Sequence, residues 1–252
     1  MNSDKYKSFI YYIICICIFI VSWHIVASLY YSTWLPKPAD VFNSFIFILT
    51  HEKTSKQIPV TIIRICAAVP IAMAIGCIIG ILPRYIKPVD YAVKAVIFPL
   101  FQSVPPMVWV LLFAVWFGLE PVAPIIVTSM VGLPFVIIPI SQGMKELDNS
   151  LIELGTSFTK KTRRIFRHIV LPLLYPYIFA AFRGSFGAIV RFIVVAEIFT
   201  TTSGIGYMMG VASELYNVSM IMAWTVFLGL FILIVEHGIF EYIENKIIKG
   251  KV

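Results

Sequence analysis

The sequence predicts an all-α membrane protein with six transmembrane helices and a cytoplasmic loop between spans 4 and 5. Three observations carry that prediction. The 252 residues are 60% hydrophobic and 13% charged, with a mean hydropathy of +0.91, against about 25% charge in soluble domains. A water-soluble core of this size cannot enclose so much apolar surface. Six runs also reach the roughly 20 mostly apolar residues that a crossing helix needs. Finally, the basic residues are shared unequally between the loops. The length suits a single membrane domain, 1–252, with no separate soluble domain expected.

The six spans are expected at about 8–29, 58–82, 95–119, 121–144, 171–196 and 218–240. The first, with Lys5 and Lys7 before a long apolar core, resembles a signal peptide. No clean small-x-small site follows it, so a retained anchor is expected. A turn at 34–40 precedes a run at 41–49 that is too short to span and is expected to lie at the outer interface. The second span is charge-free after Arg64, and the third and fourth carry no charge. Pro70, Pro99, Pro105, Pro106, Pro134 and Pro139 each remove a backbone donor inside a span. The sharpest case is Gln102-Ser103-Val104-Pro105-Pro106, where a break brings two polar side chains to one depth. A packing kink and a bend lining a translocation path are both compatible with it. Gly76 and Gly80 in the second span, and Gly184, Gly187 and Ala188 in the fifth, are expected to mark close helix packing.

Orientation follows from charge, since cytoplasmic loops are enriched in Lys and Arg. With the N-terminus inside, the inner segments hold 14 basic residues: Lys5, Lys7, Arg84, Lys87, Lys94, Lys145, Lys160, Lys161, Arg163, Arg164, Arg167, Lys246, Lys249 and Lys251. The outer loops hold 3 (Lys37, Lys53, Lys56), while Arg64, Arg183 and Arg191 lie within spans. Both termini and the loop 145–170 are therefore expected in the cytoplasm, and 197–217 outside.

The loop 145–170 is the most specific part of the chain. Asn149 and Ser150 suit a helix cap, and Leu151, Ile152, Leu154 and Phe158 form an apolar patch at helical spacing. A polar turn follows at 159–162. A second helix is expected from near Arg163 into the fifth span, with Pro172 placed to bend it. A short amphipathic helix joined rigidly to a span can transmit a push, whereas basic residues alone would suit an ordinary solvated loop.

The spacing is more informative. The segment resembles the EAA loop of ATP-binding-cassette importer permeases, whose pattern is Glu-Ala-Ala, three residues, Gly, nine residues, Ile-x-Leu-Pro. Glu153-Leu154-Gly155 takes the first three places, Thr159 the glycine position, and Ile169, Leu171 and Pro172 complete it without a gap. Thr159 departs from the glycine that such a turn favours. Leu35-Pro36-Lys37-Pro38 is similar to the Leu-Pro-x-Pro opening of the nitrate, sulfonate and taurine branch. Pro105-Pro106 with Trp109, and Trp116-Phe117-Gly118, resemble that branch's third span. Val194-Val195-Ala196-Glu197 followed by Ser203-Gly204-Ile205-Gly206-Tyr207 resembles its signature after the fifth.

The resemblance implies a type I importer permease fold, with two permease subunits, expected as a homodimer, on two ATPase subunits. It also implies an external binding protein that delivers solute for alternating access. The ATPase-coupling residues would be Glu153, Leu154, Gly155, Phe158, Thr159, Ile169, Leu171 and Pro172. The chain has no GxxxxGK[ST] phosphate loop, so ATP and Mg belong to the partner ATPase and the chain is not expected to be an enzyme. Genuine rivals are an ion-coupled secondary transporter or channel and a membrane enzyme, the latter lacking clustered catalytic groups.

For the solute, Gln102, Ser103, Arg183, Arg191 and Glu197 are the candidate path residues. Arg183 falls about 12 residues into the fifth span, near the midplane. A central arginine costs at least ~2.5 kcal/mol on insertion scales, so it should face protein or water. A cationic path for sulfonate, taurine, nitrate or bicarbonate is one reading; a structural arginine bonded to carbonyls or Glu197 is the other. Relatives assigned to pyrimidine or flavin precursors keep a vitamin precursor open as cargo. Cys15, Cys17, Cys66 and Cys77 lie in apolar runs as small core or lipid-facing residues, and His24, His51, His168 and His237 have no metal spacing. No nucleic-acid binding, cofactor or metal is expected. Glu236, Glu241 and Glu244 are expected at the inner interface.

Overall fold

The computed structural model describes residues 2–29 and 34–244, leaving the expected inner Lys246, Lys249 and Lys251 outside the described residues. The described chain is helical, with no strand among the described residues. Its helices are α1 (Asn2–Leu29), α2 (Pro38–Thr50), α3 (Gln57–Ile81), α4 (87–103), α5 (Pro106–Phe117), α6 (Ala123–Glu146), α7 (Asn149–Phe158), α8 (Thr162–Thr200), α9 (Ile205–Glu214) and α10 (Val218–Phe240). They divide between two compact units, one of Met1–Lys56 with Met208–Phe231, the other of Gln57–Tyr207 with Ile232–Val252.

In the first unit the Trp23 indole donates to the Pro36 carbonyl at 3.1 Å, which fixes the approach to α2. Pro38 opens α2, where a missing N–H costs nothing, and Asp40 accepts from the Lys37 amide at 3.3 Å. Thirteen residues at about 1.5 Å each are too few to span a bilayer, in keeping with the short helix expected there. Its Val41 and Ile48 are buried, and Phe45 meets Phe227 with ring centroids 6.5 Å apart.

In the second unit the core lies among α3, α6 and α8. Gly76 and Gly80 set the α3–α6 separation, since a Cβ at either would come 2.6 Å and 2.8 Å from the Cβ atoms of Val136 and Ile140. The expectation for the second span thus holds. In the fifth the packing is looser: Ala188 is buried, a Cβ at Gly184 would meet Phe135 at 3.8 Å, and at Gly187 nothing lies within 4 Å among the described residues. On α6 the close approach is made by Gly143, which faces the Tyr177 ring. Hydroxyls tie the helices further, Ser129 to the Ala68 carbonyl at 3.2 Å and Ser141 to the Gly80 carbonyl at 3.3 Å.

Among the described residues, four helices are long and apolar enough to cross a membrane: 52–84, Ala123–Glu146, Thr162–Thr200 and Val218–Phe240. The expected third span is instead two helices, Lys87–Phe101 and Pro106–Phe117, meeting at 91° and giving a fifth crossing if counted as one. The cause is local. Val104 and Pro105 each precede a proline, which disfavours the α region, and both are extended (φ −92°, ψ 118° and φ −55°, ψ 137°). The apolar stretch of α1 among the described residues, Ile14–Leu29, is shorter than the four. The second helix expected from near Arg163 into the fifth span is present: 162–200 is one continuous helix with a wide π-helical turn at Phe166–Val170. This turn leads directly to Pro172, which has no N–H to offer a regular ladder.

Candidate functional site

Between two of these crossings α7 stands as a separate ten-residue helix. Its cap is Asp148, one residue before the expected Asn149 and Ser150. The Asp148 carboxylate accepts from the Ser150 amide at 2.8 Å and the Ser150 hydroxyl at 2.6 Å. Those two bonds hold its pKa below the ordinary aspartate range. At the other end Thr159 is extended (φ −156°, ψ 136°). This backbone needs no left-handed residue, so threonine fits where the family pattern has glycine.

The two faces of α7 differ. Leu151, Leu154 and Phe158 are exposed, Phe158 at 84%. Ile152 packs instead against the cluster of Val136, Ile140, Met144 and Leu147. Gly155 is buried against the incoming span, where a Cβ would lie 2.5 Å from Ile169 Cδ1. Ile165, 8% exposed, backs the same contact. The expected patch is therefore split: three side chains face outward, while Ile152 and Gly155 fasten the helix to α6 and α8. Glu153 is exposed beside Arg84 and Tyr85 in a cavity of about 360 Å³, Leu171 is half-buried and Pro172 exposed.

A second constellation gathers at the C-terminal end of α8. Glu197 is fully enclosed. Arg64 of α3, 4% exposed, donates through Nη1 to its Oε1 at 2.8 Å and to the Ser203 carbonyl at 2.8 Å. Its Nη2 reaches the hydroxyls of Thr201 at 3.1 Å and Ser203 at 2.8 Å. The Thr61 hydroxyl lies 2.9 Å from both Glu197 oxygens and accepts from the Ile205 amide at 2.8 Å. The Gly206 amide donates to Glu197 Oε2, and the Gly204 amide to Gln57 Oε1, both at 2.8 Å. A buried ion pair holds only if its remaining donors and acceptors are met, and here main chain and hydroxyls meet them.

This network accounts for Ser203-Gly204-Ile205-Gly206. Gly204 has φ +102°, and a Cβ there would lie 2.3 Å from Glu197 Oε1; at Gly206 it would lie 2.2 Å from the Val194 carbonyl oxygen. Only bare backbone can wrap the carboxylate so closely. Thr61 and Arg64 were not among the expected site residues, although Arg64 and Glu197 were both visible as charges near the ends of apolar runs.

The other candidate path residues are placed differently. Arg183 does not meet Glu197, which lies 14 residues on and about 21 Å along the same helix. It pairs with Glu236, Nη2 to Oε1 at 2.5 Å, and with Glu244 at 3.5 Å. Both side chains of the first pair remain part-exposed (45% and 38%). Glu236, expected at the inner interface, thus pairs with a cation of α8. Arg191 is exposed and makes no ion pair among the described residues. Ser103 is exposed at the end of α4, and the side chain of Gln102 lies outside the described residues. No group of three or more His, Cys, Asp or Glu able to hold a metal occurs among the described residues.

The chain resembles known proteins over most of its length. Residues 60–247 match the family model described as binding-protein-dependent transport system inner membrane component. A protein of Methanocaldococcus jannaschii assigned as an ABC transporter permease is 28% identical over 217 residues, 84% of this chain and 80% of its own. One of Bacillus subtilis assigned to aliphatic sulfonates transport is 23% identical over 236 residues, 93% and 85% of the two chains. The nitrate import permease of Synechococcus elongatus is 24% identical over 217 residues, 82% and 77%.

Proposed function

We propose a function from one premise: this chain belongs to the family of binding-protein-dependent transport system inner membrane components. It is a multi-pass membrane protein of the ABC permease type, similar to permeases named for sulfonates and nitrate. We infer that it is the transmembrane subunit of an ATP-driven importer. An external binding protein delivers a small solute to the outer face, and two copies of this chain pass it inward by alternating access. Two ATPase subunits supply the hydrolysis, so the chain itself is not an enzyme.

The observation that carries this reading is α7: a short helix fastened to its own span through Gly155 and Ile169, with Leu151, Leu154 and Phe158 facing outward. An apolar helix face outside the membrane needs a groove, and a rigid attachment turns movement of that groove into movement of α8. Glu153, Thr159, Leu171 and Pro172 frame this attachment. Both termini and α7 are on the cytoplasmic side by the distribution of basic residues.

For the solute, relatives named for sulfonate and nitrate support a small anion, sulfonate, taurine, nitrate or bicarbonate. A pyrimidine or flavin precursor is the second reading. It gains from Arg183, whose charge is answered by two carboxylates. The path then draws on Ser103, Gln102 and Arg191, with Arg183 held by Glu236, while Glu197 is the structural member that fixes the outer end of α8.

The deciding experiment is ATP hydrolysis by the purified permease–ATPase complex in lipid nanodiscs, with its binding protein and a panel of sulfonates, nitrate, bicarbonate, pyrimidines and flavins. Stimulation by one loaded binding protein is expected and names the cargo. Failure of any ATPase to copurify through α7 brings forward an ion-coupled secondary transporter.

A further inference from the structure

A cavity of about 200 Å³ lies where the end of α3, the start of α4 and the last turn of α6 meet. Its charged wall is formed by Arg84, Lys94 and Lys145, with Asp90 as the one carboxylate. Lys94 is paired to Asp90 at 2.5 Å. The Arg84 guanidinium is held at the wall by donating to the Met144 carbonyl. Lys145 is exposed and makes no ion pair among the described residues. Three cations and one carboxylate thus line a concave site. Apart from Ser141, whose hydroxyl is bound to the Gly80 carbonyl, the rest of the wall is apolar, with Val93 buried and Phe98 half-buried.

We propose that this cavity binds the phosphate-bearing headgroup of an anionic lipid. Depth favours a lipid. The apolar run of α3 ends at Ile81, and Leu82–Arg84 follows at once, so the cavity opens where hydrocarbon gives way to headgroups. Basic pockets between membrane helices on the cytoplasmic side recognise phosphate headgroups. Volume agrees, since 200 Å³ is the space of about seven waters at ~30 Å³ each. The apolar side also argues for a lipid, because Val93 and Phe98 suit a glycerol backbone, for which a free anion has no use. Arg84 lines the cavity beneath α7 as well, with Glu153 and Thr156. A headgroup held at Arg84 therefore steadies the wall against which α7 rests. The inner-leaflet assignment rests on the orientation argued above; binding itself does not.

The test needs neither ATPase nor binding protein, so its failure is separable from failure of the importer reading. Delipidated protein in detergent is offered phosphatidylglycerol or phosphatidylcholine of matched acyl chains, and retained lipid is read by native mass spectrometry. Binding of radiolabelled inorganic phosphate is measured in parallel by equilibrium dialysis. Selective retention of phosphatidylglycerol is expected, falling at least tenfold in Lys145→Gln and in Lys94→Gln and returning in Lys145→Arg. Monodisperse elution of each variant verifies its fold. Equal retention of the two lipids, or of phosphatidylglycerol by wild type and both glutamine variants, overturns the proposal. Saturable phosphate binding without lipid selectivity overturns the lipid source and assigns the cavity to a soluble anion.

Discussion

Removing the Glu197 carboxylate leaves the Arg64 guanidinium, 4% exposed, with two hydroxyls and one carbonyl as partners and its charge unanswered. Losing one member of a buried pair costs about 3–5 kcal/mol. Glu197→Ala is therefore expected to lower the unfolding temperature of the detergent-solubilised protein strongly, and Glu197→Gln less, because the amide keeps one acceptor for Thr61 and Gly206. Gly204→Ala should approach the alanine variant in effect, since its Cβ would lie 2.3 Å from Glu197 Oε1 at a φ of +102°. Thermal melts of the three variants, ranked otherwise, would contradict the network. Both charges could be read from the sequence as isolated ions near the ends of apolar runs. Their pairing could not: 133 residues separate them, and adjacency of α3 to α8 is a product of packing. The glycines of 203–206 were legible as a motif, while their reason, the space taken by one carboxylate, needed coordinates.

At the scale of elements, α7 makes two separable demands. Gly155→Ala brings a methyl against Ile169 Cδ1, the far end of a flexible side chain that can turn aside; more than half of substrate-stimulated ATPase activity is expected to survive. Gly155→Trp cannot be accommodated this way and should abolish coupling while membrane insertion, followed by fractionation, stays intact. Full activity in the tryptophan variant would remove the coupling role of α7. The cap gives a pH dependence. Because hydrogen bonds from Ser150 hold the Asp148 pKa below its ordinary value, the cap's contribution is complete above that ordinary value. It is lost as the pH falls through the lowered one. Hydrogen exchange of residues 149–158 should thus accelerate only at strongly acid pH, and in Asp148→Ala should already be fast at pH 7. The break at 104–106 was legible in advance because a residue before proline is constrained locally. The choice of Asp148 over its neighbours was not, since three consecutive residues are all good caps.

For the whole molecule, orientation is the property on which the other assignments lean. With 14 basic residues assigned to inner segments and 3 to outer loops, single cysteines in a cysteine-free background should respond oppositely to a membrane-impermeant maleimide. Thr202→Cys, at an exposed position, is expected to label in intact cells, and Ser157→Cys on α7 only after permeabilisation. The reverse pattern would invert the molecule and take α7 away from any cytoplasmic ATPase. Membrane residence and the apolar helices were plain from composition, whereas the 91° angle at the broken third crossing and the wide π-helical turn at Phe166–Val170 depended on backbone detail.

The Arg64–Glu197 pair also has a history within each molecule's synthesis. Arg64 leaves the ribosome 133 residues before Glu197, a delay of roughly 7 to 27 seconds at 5–20 residues per second. Throughout that interval α3 carries a guanidinium whose counter-ion has not yet been made. Until the later helix arrives, only water or lipid phosphate at the membrane surface is there to answer that charge.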